Sequence, residues 1–72
     1  MVKSVLATMP GLVARVEVNL GDKILKGQGV VVLNVMKTEI VVESPFNGIV
    51  KKILLKEWDE VKIDDPLIIL EI

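Results

Sequence analysis

Val30-Val31-Val32-Leu33-Asn34-Val35-Met36-Lys37-Thr38-Glu39-Ile40-Val41-Val42-Glu43 reads as two strands with almost nothing between them. The first run, Val30 to Val35, is nearly continuous in apolar residues, as expected of a strand enclosed in a small sandwich. Thr38 to Glu43 is the next strand, which leaves Met36-Lys37 as a two-residue turn. Such turns normally carry Asn-Gly or Asp-Gly, because their central residues need positive φ. Met-Lys is poor turn chemistry, with Asn34 close by as a source of help. Local conflict of this kind persists where something other than stability selects the residues. Met36 is a long apolar side chain at an exposed tip, and Lys37 places a flexible primary amine beside it. Two readings stand on turn chemistry alone. Lys37 is presented to another enzyme for acylation, or it is a solubilising turn lysine with Met36 folded back onto the sheet.

The rest of the composition agrees with a sheet protein. Thirteen Val and eight Ile stand among 72 residues, against two Ala. Branching at Cβ restricts rotamers in a helix and packs well on a pleated surface. A chain this short buries only about 60% of its extended surface, so one small core is expected across residues 1–72. There is no cysteine or histidine and no tyrosine. An active site of its own would have to rest on carboxylates and lysines alone, so the chain is expected to be non-catalytic. The formal charge is −1 with no block of one sign, which leaves no basic face for nucleic acid. The longest apolar runs, Val30 to Leu33 and Leu67 to Leu70, are far too short to cross a membrane, and Met1-Val2-Lys3-Ser4 does not open a signal peptide.

Sliding the sequence by 37 positions aligns its two halves. Gly11-Leu12-Val13 falls on Gly48-Ile49-Val50, Asp22-Lys23-Ile24 on Asp59-Glu60-Val61, and Val30 to Leu33 on Leu67 to Leu70. Each half is one sheet-forming unit that cannot bury its own apolar side, so two packed halves predict a quasi-twofold flattened barrel or sandwich. The other strands are predicted at Val2 to Ala7, Leu12 to Val18, Ile49 to Leu55 and Leu67 to Ile72, with a short one at Glu60 to Ile63. In Leu12 to Val18 the alternation places Leu12, Ala14, Val16 and Val18 on one side, Arg15 and Glu17 on the other. Asn19 to Lys23 reads as a turn, in which Asp22, like Asp59 in the second half, caps backbone N–H groups. A twofold would also bring the N-terminal strand and Ile72 together, opposite Lys37.

Asn34-Val35-Met36-Lys37-Thr38-Glu39 resembles the attachment motif of the biotinyl domain family, in which Met-Lys-Met presents the modified lysine. The likeness runs from about Ser4 to Ile72. Ala7-Thr8-Met9-Pro10-Gly11 is similar to the family's first turn, Gly21-Asp22-Lys23-Ile24 and Lys26-Gly27-Gln28 to its Gly-Asp-x-Val and Lys-Gly-Gln stretches, and Ser44-Pro45 to Gly48 to the opening of its second half. The resemblance implies an all-β flattened barrel-sandwich of two four-stranded antiparallel sheets. It implies biotin joined as an amide to Lys37 by a biotin protein ligase, with Met36 and Thr38 as flanking recognition residues and Glu39 as a neighbouring surface group. The implied partners are a biotin carboxylase and a carboxyltransferase or decarboxylase, between which the cofactor carries a carboxyl group. The implied location is cytoplasmic, or the mitochondrial matrix for a domain excised from a eukaryotic enzyme. The size fits either an excised carboxy-terminal domain or a very small carrier subunit.

Departures from the pattern sharpen the alternatives. Thr38 stands where a second Met is usual, and Asn34 where Glu is usual. Met36 favours biotin over a lipoyl group, while Thr38 leans the other way; a lipoyl carrier and an unmodified barrel that serves as an interaction module are the competing readings. Trp58 takes the register of Gly21, and Asp64 that of Gly27. Trp tolerates positive φ poorly, at a cost of about 1 kcal/mol or more, so Trp58 is expected in a different turn or as an apolar lid over the sheet edge. Its functional reading is a docking contact with a larger enzyme. Asp59-Glu60 and Asp64-Asp65 lack the spacing of a cation-binding loop, so no metal site is expected.

Overall fold

A computed structural model describes all residues from Met1 to Ile72 and contains eight strands. In chain order they are β1 (Val2–Leu6), β2 (Gly11–Val16), β3 (Lys23–Ile24), β4 (Gly29–Val35), β5 (Thr38–Glu43), β6 (Gly48–Ile53), β7 (Glu60–Val61) and β8 (Pro66–Glu71). They form two four-stranded antiparallel sheets, ordered β1-β8-β6-β3 and β5-β4-β2-β7. The 37-residue shift carries β1, β8, β6 and β3 onto β5, β4, β2 and β7, so the internal repeat is the symmetry of the fold.

Each sheet takes two strands from each half, and neither sheet buries its inner face alone. Val5, Val50, Leu67, Ile68 and Leu70 from one sheet meet Val13, Val30, Val31, Leu33 and Val42 from the other, all almost wholly buried. Burying one such aliphatic side chain stabilises the fold by roughly 1.5–3 kcal/mol, and this interface is where the sequence repeat becomes energy. The one buried polar side chain, Ser44, is satisfied locally: its Oγ donates to the Phe46 carbonyl at 2.6 Å.

Two expectations fail here. Lys23, expected at the end of the Asn19 to Lys23 turn, instead opens a two-residue strand with Ile24 that pairs with β6. The simple alternation of Leu12 to Val18 is also broken. Val13 is fully buried while Leu12 is exposed, because the register with β4 shifts between Val13 and Arg15. A bulge inserts one residue and resets which side faces inward, so Val16 and Val18 point to the core although Leu12 does not. The same shift recurs in β6 between Val50 and Lys52. The turn expectations for Asp22 and Asp59 hold. Asp22 Oδ2 accepts the Asn19 N–H at 2.8 Å, and Asp59 Oδ2 accepts the Lys56 N–H at 3.0 Å.

The termini meet as expected, with the Ile72 N–H donating to the Met1 carbonyl at 2.8 Å. The repeat shift carries Val35 onto Ile72 and Thr38 back onto Met1. The β4–β5 hairpin and the joined termini therefore occupy twofold-related positions in a body 34 Å long. The Glu71 carboxylate pairs with the Met1 ammonium at 2.9 Å and with Lys51 Nζ at 3.5 Å. The Met1 ammonium holds the Glu71 carboxyl below its ordinary range.

Candidate functional site

The hairpin that carries Lys37 is as tight as its sequence implies. Val35 pairs directly with Thr38 and Asn34 with Glu39, so Met36 and Lys37 alone make the turn. Both adopt left-handed backbone, with φ of 51° for Met36 and 69° for Lys37. This is the geometry in which the twist of a two-residue turn matches that of its strands. Holding two non-glycine residues there costs about 1–2 kcal/mol each. Asn34 offsets part of that cost, since its Oδ1 accepts the Lys37 N–H at 3.1 Å.

The turn leaves both side chains outside. Met36 is 93% exposed, so it does not fold back onto the sheet. Lys37 is exposed beside it, and Thr38 opens β5 with its side chain also in solvent. An unhindered amine at the end of a rigid ribbon is well placed for acylation by a second protein.

Two features beneath the tip were not visible in the sequence. Gly11, read there as part of a turn signal, packs against the base of the hairpin. A Cβ on it would lie 2.8 Å from the Asn34 carbonyl oxygen and 2.8 Å from Val35 Cγ2. Only glycine lets β2 approach so closely. Gly48 does the same against Glu71 and Ile72 at the twofold-related position. The second feature is Arg15, which forks onto Glu39 with contacts of 3.1 and 3.3 Å and onto Glu17 at 2.9 Å. These bonds, Glu39 foremost, hold the guanidinium more firmly protonated than usual. Arg15 lies directly opposite Val32, which is only 2% exposed though it points away from the core. Directly opposed residues share a face, so the arginine stem is placed over that valine while its head fixes Glu39, two residues beyond Lys37.

A cleft of about 450 Å³ opens at the foot of the hairpin, between Pro10, Gly11 and Leu12 on one side and Asn34, Val35 and Met36 on the other, with Glu60. Trp58 lies on the turn that leads into β7. Its φ is 71°, close to the 86° of Gly21, so it adopts the same left-handed turn as the glycine it replaces, against expectation. The backbone bonding matches as well: the Trp58 N–H donates to Val13 O at 2.7 Å, and the Gly21 N–H to Val50 O at 2.9 Å. Nor is Trp58 a lid, because two-thirds of its surface is in solvent. Asp64, at φ 69°, likewise repeats the turn of Gly27.

A two-sheet scaffold that holds one exposed amine on a tight hairpin tip has the geometry of a carrier domain, which presents a group to other proteins. Comparison with known proteins makes the class specific. Residues 3–70 match the sequence model of the biotin/lipoyl family described as "Biotin-requiring enzyme". The mitochondrial pyruvate carboxylase of Mus musculus is 44% identical over 65 residues, which is 90% of this chain and 6% of that protein. The pyruvate carboxylase of Bacillus subtilis is 34% identical over the same share of each. Among solved structures, the urea carboxylase of Kluyveromyces lactis superposes with a TM-score of 0.91 at 30% identity, over 99% of this chain and 6% of that one. The chain belongs to the biotinyl/lipoyl attachment domain family and is a biotin carboxyl carrier domain of the biotin-dependent carboxylases. It spans only about 6% of the length of the relatives named here.

Proposed function

We propose that Lys37 is the residue that carries biotin, joined through its Nζ as an amide by a biotin protein ligase. The observation that carries this reading is the hairpin itself. Lys37 occupies the second position of a strained two-residue turn, with its backbone held by Asn34 and its side chain free. Met36 and Thr38, both exposed, flank it as the residues a ligase would read. Biotin, once bound there, supplies a ureido nitrogen that takes up and gives off a carboxyl group. This chain's part is mechanical: the sandwich fixes the base of the arm, the Lys37 methylenes supply its reach, and tethering holds the group at high local concentration near each partner site. The partners are a biotin carboxylase and a carboxyltransferase or decarboxylase, and the whole of residues 1–72 serves as the one carrier unit.

Met36 ahead of the lysine, together with relatives named as pyruvate carboxylases, supports biotin over a lipoyl group. The test is transfer. The ligase-treated domain is incubated with biotin carboxylase, ATP and labelled bicarbonate, then separated from small molecules. Label that stays with the parent domain and is lost in Lys37→Arg supports the assignment; equal label on both would overturn it.

A further inference from the structure

Two related halves would be expected to show the same surface twice, yet the cleft at the foot of the hairpin opens only at the Lys37 end. Three residues that line it, Glu60 on β7, Leu12 on β2 and Asn34 on β4, are directly opposed across neighbouring strands and so share one face. The 37-residue shift carries this row onto Lys23, Ile49 and Glu71 in the other sheet. There Glu71 is occupied by the Met1 ammonium and Lys51. At the Lys37 end the polar groups are free. The Glu60 carboxylate has no partner within the chain, and Asn34 uses only Oδ1, on the Lys37 N–H, which leaves its Nδ2 hydrogens unbonded. The Oδ1 bond also fixes which end of the amide is the free donor.

What fits this arrangement is narrow. One free donor and one free acceptor stand on either side of an apolar residue, two strand spacings or about 10 Å apart. Pro10, Val35 and Met36 complete an apolar lining, and the volume of about 450 Å³ lies in the range that holds a small-molecule ligand. The fused ureido–thiolane ring of biotin presents the complement: a carbonyl oxygen for Asn34 Nδ2, N–H groups for Glu60 and an apolar sulfur ring for Leu12. A lipoyl dithiolane has neither the carbonyl nor the N–H groups. The tether places that ring within reach. Met36, at the end of the cleft, immediately precedes Lys37, and the cleft extends back along β4 only as far as Asn34, about 7 Å. The flexible methylenes of Lys37 and of the biotin side chain together exceed that distance.

We propose that Asn34, Leu12 and Glu60 form a docking site for the biotin ring that Lys37 itself carries, with Asn34 Nδ2 donating to the ureido oxygen and Glu60 accepting a ureido N–H. The inference rests on the carrier reading of Lys37. A short tether holds the ring at millimolar effective concentration, so a site of only millimolar affinity is filled about half the time and yields the arm readily to a partner. Carboxylation exchanges a ureido N–H for a carboxylate, which removes a donor and adds a like charge near Glu60. The cleft therefore retains the unloaded ring in preference to the loaded one.

The test is NMR of the isotope-labelled domain before and after the ligase attaches unlabelled biotin. Amide shifts are expected to reach Gly11, Leu12 and Glu60, far from Lys37 along the chain, with NOEs from the ring protons to the Leu12 methyls. The decisive variant is Glu60→Lys, which installs the residue type already present at the twofold-related place, Lys23, and which leaves the fold intact because Glu60 is exposed. In this variant, once biotinylated, the NOEs to Leu12 vanish and streptavidin captures the ring about twofold faster, as the occluded half of the arms becomes free. Leu12→Ser, which removes the apolar contact without changing charge, speeds capture to the same extent. Parent shifts confined to the residues beside Lys37, NOEs that persist in Glu60→Lys, or a capture rate unchanged in both variants overturn the proposal. A parent that takes up no biotin defeats the carrier reading and this inference together; an adduct without the NOEs defeats this inference alone.

Discussion

Gly11→Ala asks whether the lysine hairpin is positioned by the close approach of β2. Gly11 is not in left-handed backbone, so alanine is conformationally welcome there and gains about 0.4–1 kcal/mol by restricting the unfolded chain. Opposing this, the new methyl would sit 2.8 Å from a backbone oxygen, Asn34 O, that cannot swing aside, and 2.8 Å from Val35 Cγ2. Crowding of that kind typically costs about 1–3 kcal/mol. The crowding term wins, and the net loss is about 1–2 kcal/mol. For a domain of this size that lowers Tm by roughly 4–16 °C. Two controls separate the causes. Gly48→Ala meets the twofold-related contacts, with Ile72 Cγ2 at 2.8 Å and Glu71 O at 2.9 Å, and should lose a similar amount. Gly21→Ala meets nothing within 4 Å and suffers only from its φ of 86°. Thermal unfolding by circular dichroism ranks the three. A ligase assay then divides the first two: Gly11→Ala slows modification of Lys37 several-fold, while Gly48→Ala, beside the joined termini, leaves it near the parent rate. If Gly11→Ala is as stable as the parent, or if Gly48→Ala slows the ligase equally, β2 does not set the hairpin.

Asn34→Ala removes the acceptor of the Lys37 N–H, and a loss of about 0.5–1.5 kcal/mol is expected, with slower modification by the ligase; Asn34→Asp keeps an acceptor and recovers most of both. Arg15→Ala is expected to cost about 1 kcal/mol, mainly by uncovering Val32, since exposed ion pairs contribute little. Arg15→Met, which keeps the stem and drops the charge, should then stay within about 0.5 kcal/mol of the parent in urea unfolding; a loss as large as that of alanine would show that the Glu39 pair dominates.

Much of this architecture was legible because it is written twice. The 37-residue repeat and the Val/Ile-rich runs located six of the eight strands to within a residue or two, and Glu60–Val61 was found inside a longer estimate. Its twofold mate Lys23–Ile24 was missed although the repeat aligned the two segments, because two residues carry no periodicity of their own. The inward face of β2 was misread because a bulge changes the parity of alternation without leaving a mark in composition. Trp58 was misplaced for a different reason. Intrinsic preference excludes Trp from left-handed backbone, yet the bond from its N–H to Val13 and the Asp59 cap hold the turn regardless of the side chain. At the hairpin, Asn34 was recognisable because it is local. Gly11 and Arg15 were not, since each acts on a residue more than twenty positions away along the chain.

The chemical state of Lys37 distinguishes a biotin carrier from an unmodified domain. The most direct measurement is the intact mass of the 72-residue domain after incubation with biotin protein ligase, biotin and ATP, alongside Lys37→Arg. The account predicts a single biotinyl adduct on the parent and none on the variant. A folded parent without an adduct, under conditions where the ligase modifies another acceptor, would contradict it.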